Sequence, residues 1–284
     1  MNCPTLVSYR WPLAGSQREL QVADGCTPFL FRKVFNVVRV KLIFIGDILY
    51  YELDRRKITG WKSSLFEINP RIDLHPLTAN ADTPDWGYSD KTLQKTLSAL
   101  QRGEAPADVD ITIFILDVRI EDNYISRILP QNSILLTYHQ MKEILRKECV
   151  PLENLLLSHI YYYSLLFRIK QGEYLMPSDE FTMAHVATRG CLFDFCGEKE
   201  DCVRSCVSPI LCPSCIAHLQ EHGLPVNEVE QVQRELKRIR RTFYDSARMF
   251  LNNHPYLSML LTLAGTFIIS IISNVIYCLI FENC

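Results

Sequence analysis

Glycine is scarce in this chain, 11 among 284 residues, and none of it gathers into a phosphate loop. Gly15, Gly25 and Gly46 stand alone, and neither GxxxxGK nor GxGxxG occurs, which excludes the common glycine-built cradles for nucleotide phosphates. A surplus of either charge is also missing. Lys and Arg number 30 against 32 Asp and Glu, a formal net charge of −2, which excludes a general polyanion binder while leaving room for local basic patches. Collagen-like, low-complexity and repetitive composition is absent as well. The amino terminus, MNCPTLVSYRW, has neither the basic start nor the apolar run of a secretory leader, so none is expected there.

What the chain does have is a stretch without any charge, residues 257–281. As a helix it would extend about 37 Å at ~1.5 Å per residue, enough to cross a hydrocarbon layer ~30 Å thick. Arg234, Lys237, Arg238, Arg240, Arg241 and Arg248 precede it, whereas Glu282, Asn283 and Cys284 follow. That asymmetry predicts a single-pass anchor with the preceding domain in the cytoplasm. Membrane lipid is then the first expected partner, and Lys237–Arg241 the contact with anionic headgroups. In a reducing compartment, clustered cysteines read first as metal ligands rather than disulfides.

Residues 34–53 are β-branched and aromatic around Gly46 and Asp47, and predict a β-hairpin. Helical spacing at Leu93, Leu97 and Leu100 predicts a helix over 91–102. The apolar run 111–118 predicts a buried strand and 133–138 a second, followed by helices over 139–148 and 151–170. Strands and helices without regular alternation predict an α+β domain. The expected boundaries are a β-rich region 1–106, a zinc-stapled domain 107–222, a helical stalk 226–253 and the membrane helix 257–281. Asp117, Arg119, Glu121, Asp122 and Arg127 follow the central strand, where sites often sit. Tyr161, Tyr162 and Tyr163 lie in a helix that is mostly core.

Six of the 11 cysteines lie between 191 and 215. Cys191-x4-Cys196 and Cys212-x2-Cys215 form two chelating pairs, and four thiolates suit a closed, structural zinc ion. Cys202-x3-Cys206 could replace one pair, and His185 or His218 one thiol. His218, Glu221 and His222 match HxxEH, the inverted zincin motif, but at a helix end just before Gly223 and Pro225.

The spacing Cys-x4-Cys, a spacer and Cys-x-x-Cys resembles the zinc-stapled part of archaemetzincin-type metallopeptidases, over roughly Asp110 to Leu219. The run Thr188, Arg189, Gly190, Cys191, Leu192, Phe193, Asp194, Phe195 and Cys196 also resembles a bacterial family sharing that module. Such peptidases carry HExxHxxGxxH on the preceding helix, where here His159 has no Glu beside it. The resemblance therefore implies a degenerate metzincin-like scaffold with structural zinc, no catalytic residue and no enzyme activity.

Beyond the cysteines, Val229, Val232, Leu236, Ile239, Phe243 and Phe250 follow heptad spacing, which predicts a coiled-coil stalk and a homo-oligomer. Within the apolar stretch, Ser258, Thr262, Thr266, Ser270 and Asn274 recur every fourth residue. Ser and Thr can bond their own helix, whereas Asn in lipid calls for a neighbouring helix or water. The plan is similar to transmembrane effectors of anti-phage defence, the Hailong type among them. That likeness implies a tail-anchored protein of the bacterial inner membrane whose domain senses a nucleotide or oligonucleotide, made by a partner enzyme encoded nearby, and controls a permeabilising helix bundle. The alternatives are a membrane-tethered zinc hydrolase using HxxEH and a non-catalytic scaffold.

Overall fold

Alternation along the strands builds the sheet and divides its two faces. The computed structural model describes residues 37–104, 108–186 and 190–281. The leader expectation, the start of the β-rich region, Thr188, Arg189 and residues 282–284 lie outside them. In β1 (Val38–Ile45), Val38, Val40, Leu42 and Phe44 enter one core while Ile43 and Ile45 enter another. β4 (Ile111–Leu116) repeats the division, with Ile111, Ile113 and Ile115 against Phe114 and Leu116. Strands apolar on both faces need cover on both. α3 (Asp90–Glu104) covers one through Leu93 and Leu97. On the other lie α4 (Met141–Lys147) and α5 (Leu152–Ile169), the latter buried nearly all round, as befits a helix with no polar face.

β2 (Phe66–Ile68) and β3 (Asp73–His75) flank successive halves of β1 in parallel, β4 lies on its other side, and β6 (Ser133–Thr137) continues beyond β4. β5 (Ser126–Leu129) closes the edge antiparallel to β6, through a turn whose Gln131 and Asn132 take positive φ. The α+β expectation is therefore corrected to a mixed α/β domain with a mostly parallel sheet. The hairpin expected over 34–53 is corrected too. Gly46, at φ 86, turns the chain out of β1 and into α1 (Asp47–Glu52), so the turn signal begins a helix. α2 (Arg55–Thr59) follows. Since β1 pairs with β4, the boundary expected at 106/107 runs through one sheet.

The helices over 91–102, 139–148 and 151–170 and the strands at 111 and 133 form close to their expected places. The cysteine region has short elements, α6 (Val203–Val207) and α7 (Pro213–Glu221). Its chain then enters α8 (Val226–Leu236), where the continuous stalk is corrected. Val229, Val232, Leu236 and Ile239 are all buried against this chain's own core. Glu235 accepts bonds from the Ser63 hydroxyl, the Ser64 N–H and the Tyr161 hydroxyl, and Arg238 stacks 4.3 Å above Trp61. Apolar positions committed to the domain do not form a seam with a second helix in this conformation. After a break comes α9 (Phe243–Asn253), capped by Thr242 and Asp245.

α10 (Pro255–Phe281) is the one described helix long and apolar enough to cross a membrane, with mean hydropathy 2.1 over its 18-residue apolar window and none of that window buried. A bare helix of this kind is not a core helix and is compatible with a single-pass anchor.

Candidate functional site

Three thiols and one imidazole converge at the edge of the core. The ligand atoms of His185, Cys191, Cys212 and Cys215 all lie within 4.8 Å of one another, the one such set among the described residues. Cys191 Sγ is 3.7 Å from Cys215 Sγ, and His185 Nε2 is 3.4 Å from Cys212 Sγ.

Local structure aims each ligand. Gly190 takes φ +83, a left-handed turn that a side chain would strain, and Cys191 follows with its N–H bonded to Asp194 Oδ2 at 2.9 Å. Cys212 caps α7 by accepting the Cys215 N–H, and its own N–H points at Cys191 Sγ, 3.4 Å away. His185 Nδ1 lies 3.2 Å from Asp194 Oδ1. A carboxylate on one ring nitrogen orients the other toward a metal. The thiols already share charge: the bond with Cys215 pushes Cys191 down to about 5, and the Cys215 thiol is pushed up in return. Three soft thiolates and an imidazole are a zinc donor set, and zinc fits this centre. Four protein ligands leave no open coordination position, so the ion would cross-link the loops and not activate water.

The structure does not bring Cys196 into this set. Its thiol donates instead to Asp194 O at 3.7 Å, and with Cys202 it faces the cavity beside α5. His218 and His222 stack at 4.2 Å between ring centroids on an exposed helix end, with Glu221 exposed beside them. No further ligand joins them within metal-binding reach among the described residues. In α10, the Thr262 hydroxyl bonds Ser258 O and that of Thr266 bonds Leu263 O, so two members of the stripe are satisfied on their own helix.

The charged residues after β4 are largely structural. Asp117 accepts from Lys142 at 2.6 Å, Arg119 pairs with Asp85, Glu121 accepts the Asp90 N–H, and Arg127 pairs with Asp122 over the Tyr124 ring. Tyr161 and Tyr163 are fully buried and hydrogen-bonded, which removes them as stacking surfaces.

Sequence reasoning missed the cavity between α5 and the cysteine loops, about 340 Å³ in volume. Tyr162, Phe193, Phe195 and His159 line it, with Asp122, Glu180, Asp194, Glu198 and Lys199 as its charged groups. Glu180 comes from the short turn Pro177–Phe181, and Tyr163 donates to its Oε1 at 3.1 Å. Burial pushes the Glu180 carboxyl up to about 7, opposed by the Tyr163 bond and by Arg127. Lys199 falls to about 8 by burial while donating to His139 O and Asn123 Oδ1. No local pattern marks Glu180, because its neighbours in the cavity are distant in sequence.

No protein-family description matches the chain, and no curated protein does. Among solved structures it is similar to a zinc-dependent peptidase from Methanocorpusculum labreanum, at 12% identity and a TM-score of 0.39, over 63% of this chain and 99% of that one. It is also similar to archaemetzincin from Methanopyrus kandleri, at 16% identity and a TM-score of 0.34, over 66% and 96%. The first is named as a zinc-dependent peptidase and the second as an archaemetzincin, against the expectation that the chain is not an enzyme. Likeness of this degree does not by itself assign an activity.

Proposed function

We propose that the protein is a membrane-anchored domain, stapled by zinc through His185, Cys191, Cys212 and Cys215, that holds a neutral or cationic ligand in the cavity beside α5. The character of the cavity carries the reading. Its wall is aromatic, and it is lined by the carboxyl groups Asp122, Glu180, Asp194 and Glu198 and by one ammonium, that of Lys199, which is already engaged. A wall of that sign disfavours phosphate, so an amine or a basic peptide suits it better than a nucleotide. α10 keeps the domain on the cytoplasmic side of a membrane, and its stripe ending at Asn274 draws copies together. Occupancy of the cavity then biases the assembled helices.

The test is calorimetric titration of the full-length chain in detergent with polyamines, short basic peptides and nucleotides. Micromolar binding of a cationic member, weakened at least about tenfold in Glu180→Gln, is expected. Binding of nucleotides alone overturns the ligand class. Potassium efflux from proteoliposomes tests the membrane step, and ligand-independent, unchanged permeability removes it.

A second reading is hydrolytic, and Glu180 favours it. A carboxyl titrating at about 7 beside a tyrosine hydroxyl is poised for general acid or base work near neutral pH. Peptide cleavage abolished by Glu180→Gln and retained by Glu221→Ala would support it; equal activity in both variants would end it.

A further inference from the structure

α9 carries an apolar face that nothing among the described residues buries. At ~100° per residue, Phe243, Tyr244, Ala247, Phe250 and Leu251 fall within about 120° of arc. Asp245 and Asn252 lie opposite, with Met249 the one apolar residue on that side, and Arg248 borders the face beside Tyr244. No residue of the helix is buried: Phe243 is 91% exposed and Tyr244 71%, and Phe250 and Leu251 are exposed as well. Its first turn is held locally instead, with Thr242 and Asp245 each accepting the other's N–H.

The chain on either side says what covers this face. His254, at φ −128 and ψ 67, leaves helical geometry, and Pro255 has no N–H to continue α9, so α10 starts as a separate segment. α10 is bare along its apolar window. Its Tyr256 and Tyr277 are both exposed and stand about 31 Å apart along the helix at ~1.5 Å per residue. That is the separation of the aromatic belts on the two sides of a hydrocarbon layer ~30 Å thick. Tyr256 thus marks the headgroup level, and α9 ends just before it. The charge agrees. Over residues 237–253, Lys237, Arg238, Arg240, Arg241 and Arg248 stand against Asp245 alone, and Lys237, Arg240 and Arg248 are exposed. An apolar face with a cationic surround matches acyl chains beneath anionic headgroups.

We propose that α9 lies along an anionic membrane surface, with Phe243, Tyr244, Phe250 and Leu251 in the acyl boundary and Arg248 reaching back to the phosphates. The inference rests on the reading of α10 as a membrane anchor and is independent of what the cavity binds. It changes what the segment before α10 does. α8 is packed into the domain, and Arg241 Nε donates to Glu148 O at 3.0 Å, so Thr242 alone separates a residue tied to the domain from the start of α9. A link that short seats the domain on the bilayer, where a continuous stalk would have held it away.

Tryptophan quenching by brominated lipid tests this on the full-length chain, reconstituted in phosphatidylcholine vesicles with about a quarter phosphatidylglycerol. Phe243→Trp, Phe250→Trp and, on the polar side, Asn252→Trp are read as difference emission against the parent chain. All three positions are exposed, so the fold does not depend on them. Bromine near the carbonyl end of the acyl chains should quench Phe243→Trp and Phe250→Trp at least about threefold more than Asn252→Trp. Equal quenching at all three, or none at the two apolar positions, overturns the proposal. Blue-shifted emission without quenching overturns it too, and assigns the face to a second copy of the chain. Ile268→Trp, in the middle of α10, is read with bromine deep in the acyl chains. Quenching there beside an unquenched α9 overturns the surface helix alone, whereas none there removes the anchor and this inference with it.

Discussion

The sheet and the cysteine region of this domain reach the same degree of burial by different means. In the sheet, β1, β4 and β6 place Leu42, Phe44, Ile113, Phe114, Ile134 and Leu136 at 0% exposure, with ladder hydrogen bonds on either side and helices on both faces. In the cysteine region the longest described helix between His185 and Leu224 has 9 residues, yet Cys191, Phe193, Cys206 and Leu219 are buried as deeply. Such short elements cannot order themselves on apolar area alone. The difference teaches where each half keeps its stability: the sheet in close-packed side chains, the cysteine region in the His185, Cys191, Cys212 and Cys215 cross-link.

Removing the metal should separate the halves most sharply. Binding by a structural zinc site is worth on the order of 10 kcal/mol in small domains. Chelation, or Cys191→Ser, should therefore deprotect the amides of 185–224 in hydrogen exchange while those of β4 stay protected. Equal loss in both halves would break the comparison, making the domain a single cooperative unit.

A core truncation should act in the opposite sense. Leu156 is fully buried in α5, the helix that both halves share, and Leu156→Ala should cost about 2–5 kcal/mol. The denaturant midpoint should fall with zinc still bound, as read by chelator competition. Zinc release at the lower midpoint would show the staple to depend on α5 packing.

A smaller effect is expected at Asp194, which orients His185 and holds the Gly190 and Cys191 N–H groups. Asp194→Ala should weaken zinc by ~10–100-fold, measured by competition with a colorimetric chelator.

The smallest effect belongs to pH. The Glu180 carboxyl is raised from 4.5 to about 7 by burial, so the folded state holds its proton where the unfolded state has lost it. Stability from this group is complete below about 4.5 and declines as pH rises toward about 7. Glu180→Gln should flatten that slope, and a slope unchanged by the substitution would remove Glu180 as its source.

Legibility in the sequence followed the range of the interaction. The helices α3, α4 and α5 and the strands β4 and β6 were readable because leucine spacing and apolar runs are local. β5 was missed, its four residues carrying too little pattern. The hairpin failed at Gly46 because a positive-φ glycine serves a strand-to-helix turn as well as a strand-to-strand one. The α8 heptads were real as periodicity, and their partner turned out to be the core around Tyr161 and Trp61.

By itself, then, the sequence determined what depends on near neighbours: the period of each helix, the central strands, the uncharged length of α10 and the presence of a thiol-rich metal module. Tertiary structure alone decided which thiols meet. Cys191 and Cys196 are five residues apart, yet Cys191 joins His185 and Cys196 does not, because the Asp194 turn between them leaves the Cys196 thiol on Asp194 O and in the wall of the cavity. Parallel pairing of β1 with β4, the cavity and the Glu180 carboxyl inside it were decided in the same way, by groups that become neighbours only after the chain has folded.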